Sequence, residues 1–169
     1  MKELRLAGVI RESIVDGPGM RMTIFTQGCP HNCEGCHNPQ THSFDGGYIS
    51  HPENILKAID ADPLLKGVTF SGGEPFMQAE ALSMLAEEIH KRGLNVLSYT
   101  GFTYEELLNS FDKHPDREKL LMQCDYLIDG RFVLALRSLD LKFRGSSNQR
   151  IIDVQKSLES GKVIETNFN

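Results

Sequence analysis

Met22-Thr23-Ile24-Phe25-Thr26-Gln27-Gly28-Cys29-Pro30-His31-Asn32-Cys33-Glu34-Gly35-Cys36-His37-Asn38-Pro39 joins an apolar, β-branched segment to a loop dense in glycine and cysteine. Residues 22–26 read as a buried strand. The loop holds three of the chain's four cysteines, all within positions 29–36. A secreted disulfide framework spreads its cysteines along a loop-rich chain, whereas a tight cluster in a cytosolic chain points to metal or redox chemistry. Thiolates are soft ligands that suit iron–sulfur clusters and zinc. A closed iron–sulfur site takes four cysteines. Three on one short loop would ligate three irons of a cubane and leave the fourth open to a substrate, as a catalytic metal site keeps one position open. Two other readings stand beside it: a zinc site completed by His31, His37 or His42, and a disulfide pair, which a reducing compartment disfavours.

Outward from this loop, strands and helices alternate. Ser50 and Glu53 have capping-box spacing, Ile55, Leu56 and Ile59 follow on one face, and Asp62-Pro63 ends that helix. Residues 68–70 form a short strand closed by Ser71-Gly72-Gly73; Leu82, Leu85, Ala86 and Ile89 then recur at helical spacing up to Gly93. Residues 96–99 read as a third strand, Thr103 and Glu106 as a second capping box ahead of Leu107, Leu108 and Phe111, and residues 126–128 as a fourth strand ending at Asp129-Gly130. Residues 151–154 are a candidate fifth strand.

Such alternation implies α/β architecture with a mainly parallel sheet and right-handed crossovers. A complete eight-unit barrel needs about 250 residues, more than the 169 present. The expectation is a partial (β/α) barrel, residues 1–169 forming a single domain. Chemistry then belongs at the C-terminal ends of the strands. The loops there carry Cys29/Cys33/Cys36, Gly72-Gly73-Glu74, Tyr99-Thr100-Gly101 and Asp129-Gly130-Arg131.

Composition narrows the classes further. Apolar residues make up 40% and charged residues 24%, with a formal net charge of −5, so nothing advertises nucleic-acid or membrane binding. No apolar run approaches the roughly 20 residues of a membrane span. Lys2, Glu3 and Arg5 interrupt the N-terminus, which has no signal-peptide core. The expected location is cytoplasmic.

Cys-x3-Cys-x2-Cys after a first strand resembles the signature of the radical S-adenosylmethionine superfamily, and Ser71-Gly72-Gly73-Glu74-Pro75 resembles its motif for the methionine end of the cofactor. Asp16-Gly17-Pro18-Gly19-Met20-Arg21, by itself a turn, together with Cys36-His37-Asn38-Pro39 resembles the glycyl-radical-enzyme activases. Within that group the chain is most similar to the activating proteins of anaerobic (class III) ribonucleotide reductases. Tyr99-Thr100-Gly101-Phe102, Leu127-Ile128-Asp129-Gly130-Arg131-Phe132 and Phe143-Arg144-Gly145-Ser146-Ser147-Asn148-Gln149 carry that similarity.

The resemblance implies one 4Fe–4S cluster on Cys29, Cys33 and Cys36, and S-adenosylmethionine as its partner cofactor. Reductive cleavage of S-adenosylmethionine then gives a 5′-deoxyadenosyl radical, which takes a hydrogen atom from a glycine of the reductase's glycyl radical subunit. A flavodoxin- or ferredoxin-type donor supplies the electron. Many superfamily members place an aromatic before the third cysteine, where this chain has Gly35; adenine contact is therefore expected from backbone at Gly35, Cys36 and His37, or from elsewhere. The alternatives are an activase of another glycyl radical enzyme, such as pyruvate formate-lyase, and a non-catalytic zinc or iron–sulfur module.

Single residues keep two readings. Asp129 would bind ribose hydroxyls and Arg131 the cofactor carboxylate, or the pair is a surface turn with a neighbouring charge. Ser98 and Thr100 would touch methionine or ribose, or bond backbone at a strand end. Asn148 would reach the site or cap a turn. His37 would fix the loop by hydrogen bonding, or ligate iron directly. Cys124 reads as a buried inert thiol, and Phe25, Phe70 and Phe76 as anchors.

Overall fold

The computed structural model describes residues 1–168. Its strands, in chain order, are β1 (Leu4–Ser13), β2 (Arg21–Thr26), β3 (Tyr48–Ser50), β4 (Gly67–Gly72), β5 (Asn95–Tyr99), β6 (Tyr126–Asp129) and β7 (Arg150–Asp153). All seven lie in one sheet of order β3-β1-β2-β4-β5-β6-β7. The central strands β2, β4, β5 and β6 run parallel. The flanking pairings β1–β2, β1–β3 and β6–β7 are antiparallel. The sheet thus has a parallel centre and antiparallel margins, with β3 and β7 as its two edges.

Among the described residues α1 (Pro52–Asp60), α2 (Ala79–Lys91), α3 (Tyr104–Asn109) and α4 (Pro115–Gln123) connect strands, and α5 (Val154–Ser160) follows β7. All contribute to one buried cluster. Met22, Ile24, Val68, Phe70, Val96, Leu127 and Ile152 from the sheet meet Ile55, Ile59, Leu82, Leu85, Ala86, Ile89, Leu107, Leu120 and Leu121 from the helices. The strand residues that alternate with these point to the other face, where Leu97, Ile128 and Ile151 pack with Tyr99, Tyr126 and Phe143. Helices therefore cover one face, and the opposite face is left to a smaller core and a cavity. No described helix is long and apolar enough to cross a membrane.

Three features differ from the sequence reading. The capping box at Ser50 and Glu53 does not form: Ser50 ends β3, His51 is the N-cap of α1, and its side chain makes no capping bond. Pro52 sets the helix start, because its fixed φ and missing N–H suit the first helical position. The ten-residue strand β1 has no counterpart in the pattern, since register shifts between Leu6 and Gly8 and between Ile10 and Ser13 break its alternation. Helix α4 also escapes notice, because Leu120 and Leu121 are its only buried apolar residues.

Candidate cofactor site at the strand ends

A cavity of about 430 Å³ opens over the C-terminal ends of the parallel strands, within the roughly 300–1,000 Å³ of ligand pockets. Cys29, Cys33 and Cys36 line it after β2, Ser71, Gly72 and Gly73 at the end of β4, Tyr99, Thr100 and Gly101 after β5, and Gly130 and Phe132 after β6. Val15 and Asp16 from the β1–β2 turn and Arg137, Leu139, Phe143 and Arg144 close the opposite wall. Tyr99 Oη ties the two sides by donating to the Phe143 carbonyl at 2.6 Å.

The cysteine loop is pinned at both ends by backbone. Gly28 N–H donates to the Thr41 carbonyl at 2.7 Å and Cys29 N–H to that of His42 at 3.1 Å. Asn38 N–H reaches Cys36 Sγ at 3.5 Å. The three thiols are half-buried and unpaired, which sets aside a disulfide. Burial pushes the Cys29 thiol up from its ordinary value, against backbone hydrogen bonds at His31 and Asn32 that favour the thiolate. Among the described residues no three His, Cys, Asp or Glu side chains converge on one point as a single metal ion requires. A cubane asks for a different arrangement, because each thiolate takes its own iron.

Glu74 is fully buried and is the hub of the site. Its carboxylate accepts from Gly101 N–H at 2.7 Å, from Phe76 N–H at 3.0 Å and from Thr100 Oγ1 at 2.9 Å. His31 donates to it through Nε2 at 2.6 Å, with its side chain only 4% exposed. The His31 ring sits edge-on to Phe102 at 4.6 Å, and the Arg117 guanidinium covers the other ring at 4.7 Å. Glu74 N–H in turn donates to the Gly28 carbonyl at 2.8 Å. One carboxylate thereby joins the loops after β2, β4 and β5. Among the described residues His31 joins no group of three His, Cys, Asp or Glu side chains that could hold a single metal ion.

Several expected site residues have other occupations. Glu74 does not line the cavity; its charge is spent on protein donors. Ser98 alternates with Leu97 and Tyr99, so it faces the helices, and its hydroxyl donates to the Tyr99 carbonyl at 3.0 Å. Asp129 likewise alternates with Ile128 and turns to the helix side. There it accepts from Tyr104 N–H at 2.8 Å and from Arg150 Nη2 at 2.5 Å. Arg131 is exposed and pairs with Glu106 at 3.5 Å. Asn148 donates to the Arg131 carbonyl at 2.8 Å, a turn-fixing role. His37 lines the cavity, but its ring rests against Phe132 at 5.1 Å instead of hydrogen bonding within the loop. Gly35 lies beneath Leu134 and Phe132: a Cβ there would meet them at 2.9 and 3.3 Å. Cys124 is fully buried, its thiol held far above the ordinary range by desolvation.

Sequence reasoning missed the His31–Glu74 pair and the wall at residues 137–145. Spacing alone gave no signal for the first. For the second, Arg144 stood in a motif already singled out, without an assigned partner. Arg144 lines the cavity, and its Nε is buried with no hydrogen-bond partner. Arg144 Nη1 donates to the Gln149 carbonyl at 3.2 Å, which leaves the Nε free; three soft thiols, a glycine turn and that donor around one cavity fit an iron–sulfur cluster and a ligand with an anionic end.

Comparison with known proteins agrees with that fit. Residues 15–152 match the family described as 4Fe-4S single cluster domain. The anaerobic ribonucleoside-triphosphate reductase-activating protein of Vibrio cholerae is 34% identical over 82% of this chain and 90% of its own. That of Salmonella typhi is 33% identical over 80% and 90%. The pyruvate formate-lyase-activating enzyme of Clostridium pasteurianum is 36% identical over 66% of this chain but only 49% of its own. Among solved structures, QueE from Escherichia coli superposes on 60% of this chain and 53% of that chain, with a TM-score of 0.48 at 19% identity.

The thiol loop, the family match and these relatives define a single-cluster iron–sulfur enzyme of the radical S-adenosylmethionine class. Within that class the chain belongs to the glycyl-radical-enzyme activases, in the family of the anaerobic ribonucleoside-triphosphate reductase-activating proteins. Its cofactors are a 4Fe–4S cluster and S-adenosylmethionine.

Proposed function

We propose that this chain activates an anaerobic ribonucleotide reductase by installing a glycyl radical on it, with Cys29, Cys33 and Cys36 as the three cluster ligands. The observation that carries the reading is their placement: all three line one cavity together with the Gly72-Gly73 turn. When bound, the cluster and S-adenosylmethionine would supply one-electron cleavage of the sulfonium C–S bond and, through it, the means to take a hydrogen atom from the partner's glycine.

The chain's residues position and shield that chemistry. Backbone carbonyls at Gly72 and Gly73 accept from the methionine ammonium. Arg144, with its unpartnered Nε, takes the anionic end in place of Arg131. Phe132 supplies an aromatic surface beside Gly35, where many superfamily members carry the ring on the loop itself. Phe25 and Phe143 keep water out. Val15 and Leu139, 71% and 94% exposed, mark the mouth through which the partner's glycine enters.

The same reading takes residues 1–169 as one domain, the sheet as part of a barrel, the location as cytoplasmic, and the electron donor as a flavodoxin or ferredoxin. A second reading, activation of a pyruvate formate-lyase, rests on the Clostridium relative; the chain spans about half of that protein and nine-tenths of the reductase activators.

The test is to reduce the reconstituted protein, add S-adenosylmethionine and each candidate partner, and record the EPR spectrum. A glycine-centred signal with the reductase is expected. A signal only with pyruvate formate-lyase selects the second reading, and silence with both overturns the proposal.

A further inference from the structure

His31 sits between two of the proposed ligands, two residues from each, and Glu74 follows directly on Gly73 of the cofactor turn. Their bond joins the two halves of the site from below. The pair is almost completely buried, where a hydrogen bond to a charged group is strong and its loss costly. The surroundings are shaped to the ring. A Cβ on Gly101 would lie 2.3 Å from His31 Cδ2, so the loop after β5 must be bare where the imidazole passes. Gly101 N–H donates to the same Glu74 oxygen that His31 reaches. Phe102 holds the ring's edge. Thus the cysteine loop is referenced to the cofactor turn through one side chain and one carboxylate.

Resting on the proposed ligand set, we infer that His31 is a positioning residue: through Glu74 it sets the height and tilt of the cysteine loop against the Gly72-Gly73 turn, so that the open iron and the methionine end of the cofactor meet. The ring also lines the cavity, but the proposed role is exercised through its bond to Glu74. Groups behind metal ligands that orient them typically change affinity or activity by 10–100-fold when removed.

Three variants test this: His31→Ala deletes the ring, His31→Gln keeps a donor of similar reach, and Gly101→Ala displaces the ring without deleting it. In the reconstituted His31→Ala protein, iron content is retained, but the change that S-adenosylmethionine induces in the EPR spectrum of the reduced cluster weakens. Its KM for S-adenosylmethionine rises about tenfold, more than kcat falls. His31→Gln recovers part of that KM, and Gly101→Ala raises it as His31→Ala does. In the cluster-free chain, amide hydrogen exchange of residues 29–42 and of Gly101 accelerates in His31→Ala and Gly101→Ala, while β4 and β5 stay protected.

Wild-type KM and wild-type loop exchange in His31→Ala overturn the inference, even with a lowered Tm, because the ring then only fills space. If His31→Ala does not fold, Gly101→Ala decides, and a wild-type KM there overturns it equally. A wild-type chain that gains a cluster yet shows no response to S-adenosylmethionine defeats the proposed function instead. Loop exchange in the cluster-free variants then still judges the positioning role.

Discussion

Arg21 is fully buried and makes no ion pair among the described residues. Its fork is satisfied by oxygen dipoles instead: Nε donates to Thr69 Oγ1 at 2.8 Å, Nη1 to the Pro18 carbonyl at 3.0 Å and Nη2 to that of Val68 at 3.0 Å. Desolvation pulls the guanidinium down to about 10, and the Asp125 charge opposes the fall. Asp16 completes the turn, accepting from Ser13 Oγ at 2.6 Å and Thr23 Oγ1 at 3.0 Å. The Asp-Gly-Pro-Gly-Met-Arg segment is therefore the turn its residues announce, wired to β4 by one arginine. Arg21→Met should leave three buried acceptors without their donor and lower stability by roughly 2–4 kcal/mol in urea unfolding; a loss within about 0.5 kcal/mol would match an ordinary surface change and contradict this account. At this scale the position of loop and turn residues was legible in the sequence, and the direction of strand side chains was not. Cys29, Cys33, Cys36, Gly72 and Gly73 reach the cavity because they lie in loops or turns at strand ends. Ser98 and Asp129 keep the strand alternation of β5 and β6, where a shift of one residue reverses the face, and nothing in their residue type reveals which face is used.

Among the elements, α3 shows how a short helix is held. Thr103 Oγ1 accepts from Glu106 N–H at 3.0 Å, and the Glu106 carboxylate accepts from Thr103 N–H at 2.9 Å. Asp129 takes the next N–H, and Arg150 of β7 bridges Asp129 to Glu105. The hydrogen bond from Arg150 holds the Glu105 carboxyl below its ordinary value of 4.5. A carboxyl depressed in the folded state stabilises above its unfolded value and loses that contribution as pH falls through the folded one. Wild-type stability should therefore decline below about pH 4.5 more steeply than that of Arg150→Ala in chemical unfolding at stepped pH. Parallel acid limbs would show that the bridge contributes nothing. The capping box at Thr103 was legible because both side chains stand at the required spacing ahead of an apolar face. That at Ser50 was misleading because Pro52 starts the helix one residue later, and β1 was invisible because two register shifts destroy its period.

For the molecule as a whole, parallel strands gather four loops on one edge, and a single carboxylate ties three of them together. The alternation of strands and helices announced the parallel centre, whereas the antiparallel margins depend on long-range pairing that local pattern does not encode. Family membership supplies the chemistry, and the geometry gives it a place: thiols on one loop, a glycine turn facing them, and an arginine with an unpartnered Nε on the wall. The central claim is that three thiolates hold the cluster and leave one iron for the cofactor. The most direct measurement is the EPR and nitrogen ENDOR spectrum of the anaerobically reconstituted, reduced protein with S-adenosylmethionine labelled at its amino nitrogen. The account predicts an altered cluster signal with coupling to the labelled nitrogen. An unchanged signal without that coupling, from a fully loaded cluster, would contradict it.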